Sequence, residues 1–455
     1  MSGLSSAIEV GKRGLLAYQK AMNIIGHNTA NVNTPGFSRQ RSVLQTTTPV
    51  GNMGTGVEAS KVERLRDSFL DSQFRAETHR FKYWESLANA LSQVERLLNE
   101  PSENALGALL DKFWNCWQDL ADNPEDLAPR YALREVTISL TNAFHHLSAR
   151  LKEVQQAQNA QVEQQVDRIN QIADEVAELN SSIVTAESDG SNACDLRDKR
   201  DLLLDELSEL VNLKTVEREN GSVSVFISGH VLVEDFEVER LSLRESSIGR
   251  MAVSLPIWQE NNQEVELSSG SLKGLLVARD ELIPEYRERL DSLARGLVEA
   301  INQIHSRGYG LNSNTGVDFF DSTELDAENI TLDGTVARDV REIAASSDGT
   351  PGDNSIALEI AALRESLQME SNTLSFGEYY NSLVSEVGAK AKEASETENS
   401  YQLLAQQMEN QRNSAMGVSL DEEMIELVKC QHAYQAAARM VATVNEMMDA
   451  ITNIV

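Results

Sequence analysis

Apolar residues recur at alternating intervals of four and three at both ends of this 455-residue chain, and the second run continues to the last residue. From the amino end they are Leu4, Ile8, Gly11, Leu15, Tyr18, Met22 and Ile25, of which only Gly11 lacks a side chain suited to a seam. At the other end they are Leu427, Cys430, Tyr434, Ala437, Val441, Val444, Met448, Ile451 and Val455. This alternation lays a narrow apolar stripe along one side of a helix. One narrow stripe does not hold a helix of that length by itself in water. Each end is therefore expected to find neighbours, in a bundle within the chain or in other subunits, and to stay unordered until it does. Ser419-Leu420-Asp421-Glu422 reads as a capping box opening the last helix, with Ser419 accepting a free N–H and Glu422 reaching back. Gly417 is expected to be a hinge or the C-cap of the helix before it.

Between the ends the pattern changes twice. Thr34-Pro35-Gly36-Phe37 predicts a type II turn, with Pro35 presetting one central position and Gly36 taking positive φ at the next. Residues 40–56 read as an extended linker. From Val57 to Asp189 the spacing is helical, with stripes at Leu106, Leu109, Leu110, Phe113, Trp117, Leu120 and at Ile169, Ile172, Val176, Leu179, Ile183, broken at Asn123-Pro124. The cluster Phe113, Trp114 and Trp117 is expected in a core, because its spacing is helical. A turn at Asn220-Gly221 and the alternation of Val223, Val225 and Ile227 predict a β-rich region over roughly Val211 to Gly270. A helix with Leu290, Leu293, Leu297, Ile301 and Ile304 on one face follows, then irregular sequence to about Asn354 and helices to Met416, one opened by the capping box Ser375-Phe376-Gly377-Glu378.

The expected fold is mainly α with a β-rich inserted domain. Residues 1–40 and 417–455 form a terminal coiled-coil domain, 57–190 and 355–416 a long-helix bundle, and 191–354 an outer β-rich domain containing one helix. Aromatics at 5% and only eight prolines suit long helices. The net charge of −31 repels nucleic acid and anionic lipid, so neither is an expected partner. Cys116, Cys194 and Cys430 lack the spacing of a zinc site or disulfide framework. Asp195, Asp198, Asp201 and Asp205 are interspersed with Arg197, Lys199 and Arg200, as on a solvated, ion-paired helix face. The adjacent His145 and His146 point apart on a helix. No phosphate loop or nucleophile elbow occurs, so no catalytic, cofactor or metal residue is assigned. Met1-Ser2-Gly3-Leu4 leads into an amphipathic segment unlike a cleavable signal, and no run approaches the ~20 apolar residues of a membrane span. Taken alone, these features describe a soluble cytoplasmic protein.

The segment from Ala30-Asn31 to Arg39, with its Thr-Pro-Gly-Phe turn, resembles the N-terminal signature of the rod, hook and hook-associated proteins that form the axis of the bacterial flagellum. Gly417-Val418-Ser419-Leu420-Asp421-Glu422-Glu423, followed by Gln431, Tyr434, Gln435, Ala436 and Ala437, resembles its C-terminal counterpart. The run Asp195 to Leu203, the run Gly270 to Leu276, the short motif Gly316 to Phe320, and Asn123-Pro124 with Arg130 and Leu133 are similar to the members that form the hook–filament junction. The interval from Phe320 to Ser355 is short, so an outer domain of longer members is expected to be missing. The three cysteines are also unusual for the group. The resemblance implies export through the flagellar type III apparatus, an extracellular ring of identical subunits between hook and filament, and no enzymatic activity. It also implies contacts with the hook protein and the second junction protein, and an export chaperone on the C-terminal segment. The expected assembly interface is Ile8, Leu15, Met22, Leu427, Tyr434, Val441, Met448 and Val455. Competing readings are another axial protein (hook, rod or second junction protein) and a non-flagellar coiled-coil scaffold. The scaffold leaves the Thr34–Phe37 turn and the β region without a purpose.

Overall fold

The computed structural model describes residues 2–49, 54–98, 105–323 and 325–452. Helix α1 (Ser2–Ala30) is followed by strands β1 (Gln40–Thr46) and β2 (Val57–Arg64), then helices α2 (Ser68–Leu98), α3 (Leu106–Asp122), α4 (Leu127–Ala186) and α5 (Cys194–Leu210). Six strands follow: β3 (Leu213–Glu217), β4 (Val223–Ile227), β5 (His230–Glu234), β6 (Glu237–Val238), β7 (Leu241–Ile248) and β8 (Met251–Trp258). Helix α6 (Ser271–Val277) continues through a π-helical turn at Ala278–Leu282 into α7 (Ile283–His305). The short helices α8 (Gly334–Arg338) and α9 (Ser355–Ala362) precede the long α10 (Phe376–Met416) and α11 (Leu420–Thr452).

Two apolar cores organise the body. The first gathers α2, α3, the first half of α4, α7, the segment Phe319–Ala345, α9 and the start of α10. Phe113 and Trp117 are fully buried at its centre, with Phe319 and Phe320 against them and Trp114 stacked on Phe376. The second core packs Val162, Val166, Ile169, Ile172 and Val176 of α4 against α5, the sheet β3–β4–β5–β6, the hairpin β7–β8 and α6. Helix α4 runs through both. Its 60 residues span about 90 Å, and where it passes from one core to the other the buried residues turn polar. Gln155 donates to the Arg279 carbonyl at 2.9 Å and accepts from Arg287 at 3.1 Å. Gly270, at φ 96°, makes the turn into α6; a Cβ there would lie 2.5 Å from the Leu210 carbonyl oxygen, so only glycine fits.

Two expectations are corrected. Gln40–Thr46 is a strand, not linker, and Val57 does not open a helix: β1 and β2 pair antiparallel from Gln40↔Arg64 to Thr46↔Val57, with a register shift at Val43/Leu44. Most of both strands is exposed or half-exposed, so the apolar alternation that signals a strand is absent. Residues 278–354 do not belong to the β-rich unit either. The apolar face of α7 and the loop after it complete the first core, because chain proximity to the sheet is not spatial proximity. The Ser375 capping box forms in full, each partner bonding the other's backbone N–H.

Candidate assembly interface at the paired chain ends

Helices α1 and α11 lie antiparallel, Gly11 beside Val441 and Asn28 beside Glu423. Gly11, the apparent flaw in the N-terminal seam, is one of its most buried positions. A Cβ there would sit 2.6 Å from Val441 Cγ2, and one on Gly14 would lie 3.5 Å from the Ala437 Cβ. Small residues on α1 let the two backbones approach, and the larger side chains of α11 fill the space they leave. Ile8, Leu15, Met22, Leu427, Tyr434, Val441 and Met448 are all half-buried, and Val441 meets Gly11 of the same chain. Val455 lies outside the described residues. The apolar residues left facing outward on these helices are others: Leu16, Leu420, Met424, Ile425, Val428, Met440, Met447 and Ile451, each more than 40% exposed.

The base of the pair is a polar clasp. Asn28 donates through Nδ2 to the Gln40 carbonyl at 2.8 Å and to Glu423 Oε2 at 3.0 Å, and accepts from the Gln40 N–H at 3.0 Å. Arg39 Nε donates to Glu423 Oε1 at 2.6 Å while its Nη1 reaches Glu422. The Arg39 N–H bonds the Met416 carbonyl. Glu423 is only 2% exposed. Burial alone would lower the Arg39 pKa, but Glu422 and Glu423 outweigh it and raise it. The expected Ser419–Glu422 capping box does not form: the Glu422 carboxylate goes to Arg39, a partner almost 400 positions away in the chain. Gly417 is the C-cap of α10, its N–H on the Asn413 carbonyl at 2.7 Å. Glu423→Ala leaves Asn28 and Arg39 without their buried acceptor. It is expected to speed amide exchange along the first turns of α11 while exchange in α4 stays unchanged, and Glu423→Gln is expected to recover only part of the protection.

Behind the clasp lies an ion-pair network. The turn Thr34–Phe37 closes with the Phe37 N–H on the Thr34 carbonyl at 3.2 Å, and Gly36, at φ 77°, rests on Leu202 of α5. The Ser38 N–H then donates to Asp198 at 2.9 Å. Asp198 and Asp201 each accept from Arg64 at 2.8 Å, Asp71 pairs with Arg66 at 2.7 Å, and Asp205 with Arg75 at 2.7 Å and Arg412 at 2.6 Å. All eight side chains are at most 14% exposed. The carboxylates are thus ion-paired but not solvated, and their partners are not the neighbouring basic residues. Arg197 turns to Glu187 and Glu217, and Arg200 to Asn180 and the Gly221 carbonyl. Only Asp195 stays exposed, accepting from Gln40 at 2.7 Å. Arg64, Arg66, Arg75 and Arg412 carry no local signal, since β2, the connection after it, α2 and α10 each supply one of them. The network joins the hairpin, α2, α5 and α10, and so anchors the paired ends to the body.

Burial pushes the Cys194 thiol up to about 11 and raises Cys430 in the seam, so both are protonated near neutrality. No group of three or more metal-ligating side chains occurs among the described residues, and none of their helices is long and apolar enough to cross a membrane.

Comparison with known proteins places this architecture. The family model for the flagellar hook-associated protein FlgK helical domain matches residues 91–320, half of the chain. Flagellar hook-associated protein 1 of Bacillus subtilis is 30% identical over an alignment of 500 positions, covering 100% of this chain and 99% of the relative. The chain belongs to the flagellar hook-associated protein 1 family. The family member of Salmonella typhimurium is 27% identical, covering 99% of this chain and 100% of its own length. That alignment runs over 553 positions, so the relative carries sequence with no counterpart here. The structure of the flagellar hook junction protein FlgK from Burkholderia pseudomallei shares the fold, with a TM-score of 0.68 over 76% of this chain and 100% of that chain at 15% identity. Two models shared with rod proteins match residues 8–37 (flagella basal body rod protein) and 404–454 (flagellar basal body rod FlgEFG protein C-terminal). The first covers most of α1 and its turn, and the second the end of α10 and α11, so they take in the two halves of the paired ends. The FlgK helical-domain match closes at Phe320, inside the first core, in keeping with α7 belonging to the body.

Proposed function

We propose that this chain is a structural, non-catalytic subunit of the junction between flagellar hook and filament, where it forms a ring with copies of itself through α1 and α11. The observation that carries this is the pair of ends: α11 buries one stripe against α1 and leaves large apolar residues exposed on other faces. Covering those faces removes apolar surface from water at about 25 cal/mol per Å², which drives association with neighbours of the same kind. The hook protein on one side and the second junction protein on the other are the remaining partners. Export through the flagellar type III apparatus requires an unfolded chain, and the C-terminal segment is the natural place for a chaperone, since its apolar faces are exposed until assembly. Immunogold labelling of isolated hook–basal bodies tests the reading. Label confined to the distal end of the hook is expected; label along the whole hook or rod favours another axial role, and label absent from the structure rejects a flagellar one.

A further inference from the structure

We infer that a doubly charged oxyanion, of the phosphate or sulfate type, binds in the cavity where α2, α5 and the edge strand β3 meet, held by Arg200 and Lys214. The site lies beside the ion-pair network and does not depend on how copies of the chain assemble. The cavity has a volume of about 590 Å³. Its wall carries five cations, Arg64, Arg66, Arg75, Arg200 and Lys214, and three carboxylates, Asp71, Asp201 and Glu217. Each carboxylate is already engaged: Asp71 by Arg66 at 2.7 Å, Asp201 by Arg64 at 2.8 Å, and Glu217 by Arg197 from outside the wall. Arg75 is taken by Asp205 at 2.7 Å, also from outside it. On this wall Arg200 and Lys214 are left with no ion pair among the described residues, and they share one cavity.

Arg200 is the deeper of the two, only 1% exposed. Its Nη1 donates to the Asn180 side-chain oxygen at 2.9 Å and to the Gly221 carbonyl at 2.7 Å, which fixes the guanidinium between α4 and the β3–β4 turn. That structural tie accounts for Nη1 alone. Nε is buried with no acceptor, and Nη2 has none among the described residues. Buried N–H groups almost always find an acceptor, and a buried charge without its counter-charge is costly. Burial accordingly lowers the Arg200 pKa to about 10, and Asp201 and Glu217 offset only part of the effect. An oxyanion on Nη2 supplies the missing charge, and the planar guanidinium suits an ion of this type. Lys214, exposed on β3, closes on the same ion as a flexible point charge. The local excess of two positive charges matches a dianion. The net charge of −31 repels an extended nucleic acid or a lipid surface, whereas a single small ion meets the cavity's own excess.

Calorimetric titration of the full chain with inorganic phosphate, and separately with sulfate, tests the site near neutrality at constant ionic strength. A saturable heat with one ion per chain is expected from each, and none from chloride. Lys214→Ala is expected to weaken phosphate binding by at least about tenfold, and Lys214→Glu to abolish it. Lys214 is exposed, so both variants keep the fold. Arg200→Gln keeps a donor for Asn180 and Gly221 but removes the charge, and is expected to abolish binding, with circular dichroism as the check on folding. Should that variant fail to fold, the two Lys214 variants still decide. Lys392→Ala on α10, outside the cavity, is expected to bind as the native chain does. No saturable heat from either ion, or the same affinity in the native chain and both Lys214 variants, overturns the inference. An equal loss in Lys392→Ala also overturns it, since it would mean only a general attraction of anions to surface lysines.

Discussion

Cells producing the Val441→Asp chain are expected to make hooks without filaments, while the purified variant keeps its helical body folded. Val441 fills the space that Gly11 leaves open, with its Cγ2 where a Cβ would otherwise project. The substitution forfeits part of the about 1.5–3 kcal/mol that full burial of such a side chain contributes and sets a carboxylate against the Gly11 backbone and the Ala437 carbonyl. The helices then lose their close approach along the middle of the seam. The body is insulated, because neither apolar core contains a residue of α1 or α11. The check has two readouts: the main thermal transition by circular dichroism, expected unchanged, and swimming in soft agar, expected lost. Normal swimming would remove the seam from any role in assembly.

Asp201→Asn is expected to cost the body about 3–5 kcal/mol, the range for breaking a buried ion pair from one side. Asp201 stands among Arg64 at 2.8 Å, Arg66 at 3.4 Å and Arg75 at 3.6 Å. Burial alone would raise its pKa, but these arginines, Arg66 foremost, outweigh it and hold it below the usual carboxylate value. The sign of the pH dependence follows. A carboxylate whose folded pKa is depressed contributes stability that is intact above its unfolded pKa of about 3.9 and is lost as pH falls through the folded value. Urea unfolding at pH 7, 5 and 3 should therefore show a large gap between native chain and variant at pH 7 and 5, narrowing at pH 3. A gap that stayed constant across all three would mean that the charge of Asp201 contributes nothing. Because Arg64 ends β2, the variant is also expected to loosen the hairpin that carries the paired ends.

Local regularities were legible and distant pairings were not. The 3–4 spacing of Leu427 to Met448 identified the face that α11 turns to α1, and the helical spacing of Phe113 and Trp117 placed them in a core. Asn220-Gly221 and Ser375–Glu378 form as their sequence implies for the same reason: each motif satisfies its own backbone within a few residues. The β1–β2 hairpin carries no sequence signal because nearly all of its positions are exposed or half-exposed and no buried apolar face alternates along it. The Ser419 capping box, complete as a local motif, does not form. Its glutamate had a stronger partner in Arg39, charged and fixed by the turn that precedes it.

By itself, the sequence determined the helices, the turn at Thr34–Phe37, the β-rich insertion and the apolar stripe at each end, since all are set by spacing along one segment. Tertiary structure alone decided that Asp71, Asp198, Asp201 and Asp205 meet Arg64, Arg66, Arg75 and Arg412, that α7 joins the first core, and that Gly11 is a point of closest approach. Charge pairing and helix approach depend on which surfaces face each other in space, and residues hundreds of positions apart carry no mark of that in their order.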